Sequence, residues 1–275
     1  MDQSSPTEEE SMQLFDTHAH LALIHDDPIE QLLAVQEAKH AGVQAFVCIS
    51  NDLADFADTY RQLGQDPSIY YSAGISPSEV DRLPNGWETR LADLAGGERV
   101  VAIGETGLDY YRKYGDRDSQ ISLFVRQLEI ADHVGLPVVI HNRDAGSDLL
   151  AVLRDKLPER GGVLHCYSED LEFATRALEL NLFISFAGNV TYRSARTLQE
   201  VAAAIPLERL LLETETPFMV PASRRGERNR PAYLRETARF VAELRDMPLE
   251  EFADAVFANS ERFFGVSGGG TDAPP

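Results

Sequence analysis

Two histidines at alternate positions, His18 and His20, directly follow a short apolar run near the beginning of this sequence. Residues i and i+2 of a β-strand point to the same side, so these two imidazoles would project together from one strand end. Neutral imidazole is a common ligand for divalent metal ions. The alternative is a pair of polar side chains on a surface strand, and the spacing by itself does not separate the two interpretations.

Four more residues able to bind a metal ion also end apolar runs of their own. With the first pair they supply four imidazoles and two carboxylates, enough for two divalent ions that share a bridging carboxylate and leave positions open for water and substrate. Taken singly, each histidine also fits a purely structural role, and the prediction rests on their joint placement. These four residues are Glu105, His141, His165 and Glu215.

The other three histidines are assigned to structure. His25 lies in a turn, and His40 and His133 lie near the predicted C-termini of helices, where an imidazolium ion suits the helix dipole. None of the three follows a predicted strand. The predicted metal site therefore uses four of the seven histidines.

The segments between these residues alternate short apolar runs with longer helix-patterned stretches, which is typical of repeated βα units and a parallel sheet. Strands that are apolar throughout belong to a sheet buried on both faces. Eight such units in 275 residues predict an α/β fold, a single (β/α)8 TIM barrel with the metal site at the C-terminal mouth of the strands. An open doubly wound sheet is the second choice, although no glycine-rich phosphate motif follows the first strand. The predicted strands are 14–18, 45–49, 69–73, 100–103, 137–140, 162–164, 182–186 and 210–215.

The barrel is predicted to occupy residues 13–265. Residues 1–12 are predicted to form a flexible acidic leader and residues 266–275 a flexible tail. No secretory signal or membrane-spanning stretch is apparent in the sequence. Cys48 and Cys166 lie far apart and match no CxxC spacing. These features predict a cytoplasmic protein without disulfides or a membrane partner.

The chain is strongly acidic, with 45 acidic and 25 basic residues and a formal net charge of −20. This charge argues against a protein that holds nucleic acid through a generally basic surface, because long-range steering of a polyanion would be unfavourable. Any phosphate must therefore be captured locally. The planar fork of arginine suits phosphate oxygens. The predicted phosphate contacts are Arg228 and Asn229, in an arginine-rich loop after the eighth strand, with Arg112 and Arg143 on other strand-end loops.

Two further sets of side chains near the predicted mouth have alternative interpretations. The loop after strand eight is either a phosphate-binding loop or an exposed basic loop balanced by Glu227 and Glu236. Aromatic rings on the strand-end loops are predicted to stack on the bases of single-stranded DNA, with at least one of them packed in its loop instead. These rings belong to Tyr110, Tyr111 and Tyr167.

Six motifs in order along the chain resemble those of the TatD family of metal-dependent deoxyribonucleases, from about residue 14 to residue 265. The resemblance implies a barrel of the amidohydrolase superfamily that hydrolyses phosphodiester bonds in DNA, often by exonucleolytic trimming from 3′ ends. It also implies two divalent ions, which would be magnesium, manganese or zinc, and a DNA substrate that is single-stranded or has frayed ends. The motifs are FDTHAHL at 15–21, GETGLDYYR at 104–112, HNRDA at 141–145, HCYS at 165–168, LLETETP at 211–217 and RGERNRPAYL at 225–234.

A two-metal mechanism gives individual residues the following predicted roles. Glu105 would bridge the two ions, and Glu215 would hold one ion while orienting or deprotonating the attacking water. Asp16 and Asp109 either orient imidazoles or are solvated turn carboxylates. The residues that match the family's metal ligands are His18, His20, Glu105, His141 and His165.

The chain departs from the family pattern at three positions. Glu215 stands where the family usually has aspartate, and Ser76 and Ser78 stand where it commonly has histidines. These changes leave two alternatives open. One is a metal-dependent enzyme acting on a small amide, lactone or phosphoester, which a carboxylated lysine at a strand end would favour, and none of the three lysines lies at one. The other is a degenerate member that binds metal without turnover.

Overall fold

The computed structural model describes residues 12–267, and they form a barrel of eight parallel strands. Each strand pairs with the next one along the chain, in the order β1 to β8, so the predicted (β/α)8 barrel is confirmed and the doubly wound alternative is wrong. The strands are β1 (Leu14–Ala19), β2 (Val43–Ile49), β3 (Ile69–Ala73), β4 (Val100–Asp109), β5 (Val138–Arg143), β6 (Gly162–Leu164), β7 (Phe183–Phe186) and β8 (Leu210–Leu212).

Helices follow the strands and cover the outside of the barrel. Four of them, α1, α2, α4 and α6, begin at an aspartate whose side chain accepts a hydrogen bond from an amide of the first turn, and such a cap contributes about 1 kcal/mol to helix stability. Among the described residues, no helix combines the length and apolar character needed to cross a bilayer. The helices are α1 (Pro28–His40), α2 (Leu53–Leu63), α3 (Trp87–Ala95), α4 (Arg117–Val134), α5 (Gly146–Lys156), α6 (Leu171–Glu179), α7 (Arg196–Ala204), α8 (Leu234–Leu244) and α9 (Leu249–Phe264).

The barrel is closed between β1 and the segment that follows β8. The amide of Glu215 donates to the carbonyl of His18 at 2.9 Å, and the amide of His20 donates to the carbonyl of Thr216 at 3.0 Å. This seam therefore runs through three of the predicted metal ligands. Because backbone hydrogen bonds join them directly, the geometry of the site depends on closure of the barrel.

An irregularity in β4 points Glu105 into the mouth of the barrel. The pairing of β4 with β5 shifts register between Ile103 and Thr106, as at a β-bulge, which re-aims a side chain locally. Gly104 has φ +153°, and a Cβ atom there would lie 2.6 Å from the carbonyl oxygen of Val139. Only glycine fits this position without displacing β5.

Several predicted boundaries differ from the structure, and β2, β4 and β5 are each longer than predicted. Strand β8 ends at Leu212 instead of residue 215, and Glu215 has φ +57°, a left-handed conformation that a strand does not contain. Met12, which the prediction placed in the leader, is only 4% exposed and packs in the core. The rest of the predicted leader, and the predicted tail beyond residue 267, lie outside the described residues.

Candidate metal centre

All six predicted metal ligands meet at the C-terminal mouth of the barrel. Their ligand atoms fall into overlapping groups within which all atoms lie inside 4.8 Å of one another. They come from β1, β4 and β5 and from the segments that follow β1, β6 and β8, so five strands position one cluster. The six residues are His18, His20, Glu105, His141, His165 and Glu215.

Glu105 lies between two pairs of imidazoles. Its Oε2 atom is 3.7 Å from Nε2 of His18 and 3.9 Å from Nε2 of His20. Its Oε1 atom is 2.8 Å from Nδ1 of His141 and 3.4 Å from Nε2 of His165. Each carboxylate oxygen therefore has its own pair of ring nitrogens, which is the arrangement that a carboxylate bridging two cations requires.

Glu215, whose side chain is longer than the aspartate usual in the family, also reaches this cluster. Its Oε2 atom lies 3.1 Å from Nε2 of His18 and 3.7 Å from Nδ1 of His165. The side chain is 12% exposed, and it lines the cavity at the mouth. A glutamate at this position is therefore compatible with the predicted ligand set.

The donor atoms of the cluster fit a divalent ion. Nε2 of His18 faces Nε2 of His20 at 3.3 Å, and Nδ1 of His141 faces Nε2 of His165 at 3.2 Å. Burial lowers the pKa of His18 and His20, and two neutral imidazoles with facing lone pairs need a proton or a cation between them. At His141 and His165 the neighbouring carboxylates outweigh burial and raise the pKa of both rings. The buried Oε2 atom of Glu215 has no hydrogen-bond partner among the described residues. A metal ion would satisfy these nitrogen and oxygen donors together.

Burial and mutual charges set the protonation of the cluster. Burial lowers the pKa of His18 well below its usual value, so its imidazole is neutral and its lone pair is free. Burial alone would raise the pKa of Glu105, but His165 and His141 outweigh it and hold that pKa well below its usual value. Burial raises the pKa of Glu215 to about 8, with Glu213 and Glu105 adding to the rise against the opposing effect of His165.

Glu213 is a buried carboxylate that the sequence analysis did not assign to the site. It is inaccessible to solvent, it accepts a hydrogen bond from the amide of Cys166 at 2.7 Å, and its Oε1 atom lies 3.4 Å from Nδ1 of His165. A carboxylate in this position fixes the tautomer and the orientation of a ligating imidazole. The sequence feature that could have indicated this role is its position two residues before Glu215, on the same predicted strand.

Asp109 and Asp16, for which the sequence left two roles open, have different interaction partners. Asp109 lies 3.4 Å from Nε2 of His141 and accepts from the amide of Arg112, so it orients an imidazole. Asp16 contacts no imidazole ring, and it accepts from the amide and the hydroxyl of Thr214 at 2.9 and 2.5 Å. Burial raises the pKa of Asp16 to about 7. Asp16 therefore fastens the barrel seam instead of orienting a ligand.

A cavity of about 470 Å³ opens over the cluster. Arg112 and Arg143 line it, as expected for two of the four predicted phosphate contacts. The guanidinium group of Arg143 lies 4.0 Å from the centre of the Tyr111 ring, and this cation–π contact holds it beside the cavity. Ser76 and Ser78 also line the cavity, so the positions that depart from the family pattern face the same space.

The other two predicted phosphate contacts do not line this cavity. Asn229 is 1% exposed, and its amide group donates to the carbonyls of Thr214 and Phe218 at 2.7 and 2.5 Å. Its assignment to phosphate binding was therefore wrong, because hydrogen bonds that hold the loop after β8 use its side chain. Arg228 is exposed, and it donates to the carbonyl of Leu23.

Other arginines of this loop form ion pairs. Arg224 lies 3.1 Å from Glu236, and Arg230 lies 3.2 Å from Glu37 of α1. For these two arginines the alternative interpretation, an exposed basic loop balanced by acidic residues, is therefore correct. The partner of Arg230, Glu37, was not among the acidic residues predicted. Glu227 instead accepts from the hydroxyl of Tyr233.

The three tyrosines predicted to stack on bases differ in exposure. Tyr167 is buried and its hydroxyl donates to the carbonyl of Asp170, so it packs within its loop. Tyr110 is half-buried and its hydroxyl donates to Asp148. Tyr111 is exposed, although the guanidinium group of Arg143 lies over one face of its ring. Phe218, which the sequence analysis missed, lines the cavity and is exposed.

Comparison with known proteins finds one family match and many relatives of similar length. The family described as TatD related DNase matches residues 15–265. A relative from Bacillus subtilis, named uncharacterized metal-dependent hydrolase YabD, is 36% identical over 92% of this chain and 100% of its own length. A relative from Citrobacter rodentium, named 3′-5′ ssDNA/RNA exonuclease TatD, is 34% identical over 85% of this chain and 91% of its own. The crystal structure of YJJV, a TatD homologue from Escherichia coli K12, superimposes with a TM-score of 0.86 at 30% identity, covering 92% of this chain and 98% of that one.

Proposed function

Because this chain belongs to the TatD-related DNase family and is a metal-dependent hydrolase acting on ester bonds, we propose that it cleaves phosphodiester bonds of single-stranded DNA. We further propose that it works as an exonuclease. The observation that carries the proposal is the position of Glu105, with each carboxylate oxygen facing its own pair of imidazoles. Centres with two divalent ions catalyse in-line displacement at phosphate.

The proposed centre would hold two divalent ions, with Glu105 as their shared carboxylate ligand. Bound divalent ions supply an acidified water and polarise the scissile phosphate. His18 and His20 would hold one ion, and His141 and His165 the other. Glu215 lies beside His18 at the cavity wall. Bound cations would oppose the burial that raises its pKa, so that its carboxylate would orient the attacking water and accept its proton. Asp109 keeps the imidazole of His141 in position.

Local phosphate capture is assigned to Arg112 and Arg143. Both line the cavity next to the cluster, in a chain whose net charge of −20 repels DNA at long range. Their guanidinium groups suit phosphate oxygens through paired hydrogen bonds. The arginines of the loop after β8 do not line this cavity, so capture depends on Arg112 and Arg143.

The dimensions of the cavity favour an unpaired strand. A volume of about 470 Å³ is that of a site for one small molecule, and a nucleotide at a free or frayed end would fit it. A duplex would need to be unpaired before a phosphate reached Glu105 at the base of the cavity. The Citrobacter relative is named as an exonuclease of single-stranded DNA and RNA, which supports the same substrate class.

The test is degradation of an end-labelled single-stranded oligonucleotide. Metal-stripped protein is reloaded separately with magnesium, manganese and zinc, and bound metal is counted by mass spectrometry. Glu105→Ala removes the proposed bridge, and Glu250→Ala, at an exposed site on α9, is the matched control. We expect metal-dependent cleavage in the wild type and the control, with at least a 100-fold loss in Glu105→Ala. Cleavage that persists in Glu105→Ala would contradict the proposed centre.

The two alternative functions gain no specific support from the site. None of the three lysines lines the cavity, so the carboxylated lysine that would favour an amide or lactone hydrolase is missing from it. Glu215, the substitution that suggested a degenerate member, reaches the cluster. Protein that binds two ions per chain and cleaves no oligonucleotide would revive the second alternative.

A further inference from the structure

Phe218 is an exposed aromatic ring on the wall of the metal cavity. It is 51% exposed, and its ring centre lies 6.2 Å from that of the predicted ligand His20, with the two planes at 74°. Six large apolar side chains of the described residues are exposed, and only Phe218 among them lines this cavity. A single exposed ring is common on protein surfaces, and what distinguishes Phe218 is its place on the wall of the cavity, beside the predicted metal ligands.

The backbone holds this ring in place. The amide of Phe218 donates to the carbonyl of Glu215 at 2.8 Å, and the carbonyl of Phe218 accepts from the buried amide group of Asn229. Glu215 is in turn bonded to β1 across the barrel seam. The backbone of Phe218 therefore keeps a fixed relation to the predicted metal ligands, and binding a ligand against its ring costs little ordering of the loop.

The chemistry of the cavity limits what this ligand is. Arg112 and Arg143 suit an anionic group, the imidazoles and carboxylates suit a cation that binds phosphate, and Phe218 offers a flat apolar face. A molecule that joins a phosphate to a flat heterocycle satisfies all three. We propose that Phe218 forms a base-stacking subsite for the nucleotide whose phosphate lies at the metal centre. This inference rests on the proposed function and adds the group that recognises an unpaired base.

Stacking explains how this site selects unpaired ends without reading sequence. Every base has a π-face, whereas a base inside a duplex is covered by its neighbours. The subsite therefore takes any of the bases once a strand end is free. Phe218 acts in binding, and the bond-breaking step is left to the cluster.

The test is a double-mutant cycle between the ring and the base. Deoxyadenosine 5′-monophosphate and 1,2-dideoxyribose 5-phosphate differ only in that hydrogen replaces the base, and neither contains a phosphodiester bond. Their dissociation constants are measured by calorimetry with metal-loaded wild type and with Phe218→Ala. We expect loss of the base to weaken binding by roughly 5- to 100-fold in the wild type and by less than about 2-fold in Phe218→Ala.

Three further variants separate stacking from other effects. Phe218→Tyr keeps a flat ring and retains the base effect, and Phe218→Leu keeps apolar bulk and loses most of it. Ile29→Ala removes an exposed apolar side chain that does not line the cavity, and it leaves both ligands unaffected. Melting temperatures show that each variant is folded.

A base effect of the same size in wild type and Phe218→Ala would overturn the inference, as would failure of the wild type to bind the nucleotide. The proposed nuclease activity is judged separately from the oligonucleotide assay. A base effect that depends on Phe218, in protein that cleaves no oligonucleotide, would uphold the subsite and reject the activity. Cleavage of the oligonucleotide without a base effect that depends on Phe218 would uphold the nuclease activity and reject the subsite.

Discussion

The Glu213 carboxylate is sealed from solvent and has few groups to interact with. One oxygen receives the amide of Cys166 and faces Nδ1 of His165, and the other has no hydrogen-bond partner among the described residues. Burying a carboxylate in a protein interior is unfavourable unless it is paired with another group or accepts hydrogen bonds. Holding the Nδ1 proton of His165 would leave Nε2 of that ring directed at Glu105 as a metal ligand.

Glu213→Gln tests this role at the scale of one residue. Glutamine keeps the size of the side chain but loses the negative charge that fixes the His165 tautomer. We expect metal affinity to fall by roughly 10- to 100-fold, because changes in groups that support a ligand commonly have this effect. The measurement is competition with a chelator of known affinity, and Glu250→Gln on α9 is the control. Unchanged affinity would mean that Glu213 only fills space.

At the scale of elements, the loop after β8 is the part that joins the seam to the site. Asn229 holds it, because its amide group donates to the carbonyls of Thr214 and Phe218 and its own carbonyl accepts from the hydroxyl of Thr216. Asp16 holds the same loop from β1 through Thr214. Glu215 and Phe218 are thereby placed by buried hydrogen bonds on both sides.

Asn229→Ala should loosen this loop. Removing the amide leaves two buried carbonyls unsatisfied, at a cost of about 1–3 kcal/mol each, so we expect the free energy of unfolding to fall by roughly 2 kcal/mol or more. Denaturant titration measures this change, and metal affinity should weaken in the same variant because Glu215 loses its support. Arg228→Ala, one residue away and exposed, should change stability by less than about 0.5 kcal/mol. Equal effects in the two variants would argue against the assignment.

Over the whole molecule, the candidate centre connects parts of the chain that lie about 200 residues apart. Its ligands come from five of the eight strands or the segments that follow them, and they include both sides of the barrel seam. An ion bound there contacts the folded barrel and has no equivalent site in the unfolded chain. Binding energy at the centre is therefore linked to the stability of the barrel as a whole.

Metal removal should lower the melting temperature of the whole barrel. One ion present at 100 times its dissociation constant adds about 2.7 kcal/mol of stability, and about 1 kcal/mol shifts the melting temperature of a domain near this size by roughly 2–4 °C. We therefore expect a chelator to lower it by roughly 5–10 °C or more in scanning calorimetry. Glu105→Ala should show a much smaller response. A wild type that is insensitive to the chelator would indicate that the cluster does not bind metal.

Much of the fold was predictable because it is encoded locally. The alternation of apolar runs and helix patterns follows from the periods of strands and helices, and β3 and β6 have the predicted bounds. Most ligands were predictable for a related reason. The strands of a parallel barrel all end at one mouth, so a histidine or glutamate after an apolar run is brought to the same place whatever its distance in sequence.

The sequence by itself therefore determined the barrel and the set of residues that meet at its mouth, since both depend on short-range pattern and on chain direction. Only the tertiary structure decided what the neighbouring side chains do. Asn229 and Arg228 are adjacent in the chain, yet one is buried as an anchor and the other is exposed. The role of Asp16 depends on Thr214, 198 residues away. Such roles depend on which groups a side chain contacts and on how far it is exposed to solvent. Local sequence determines neither the contacts nor the exposure.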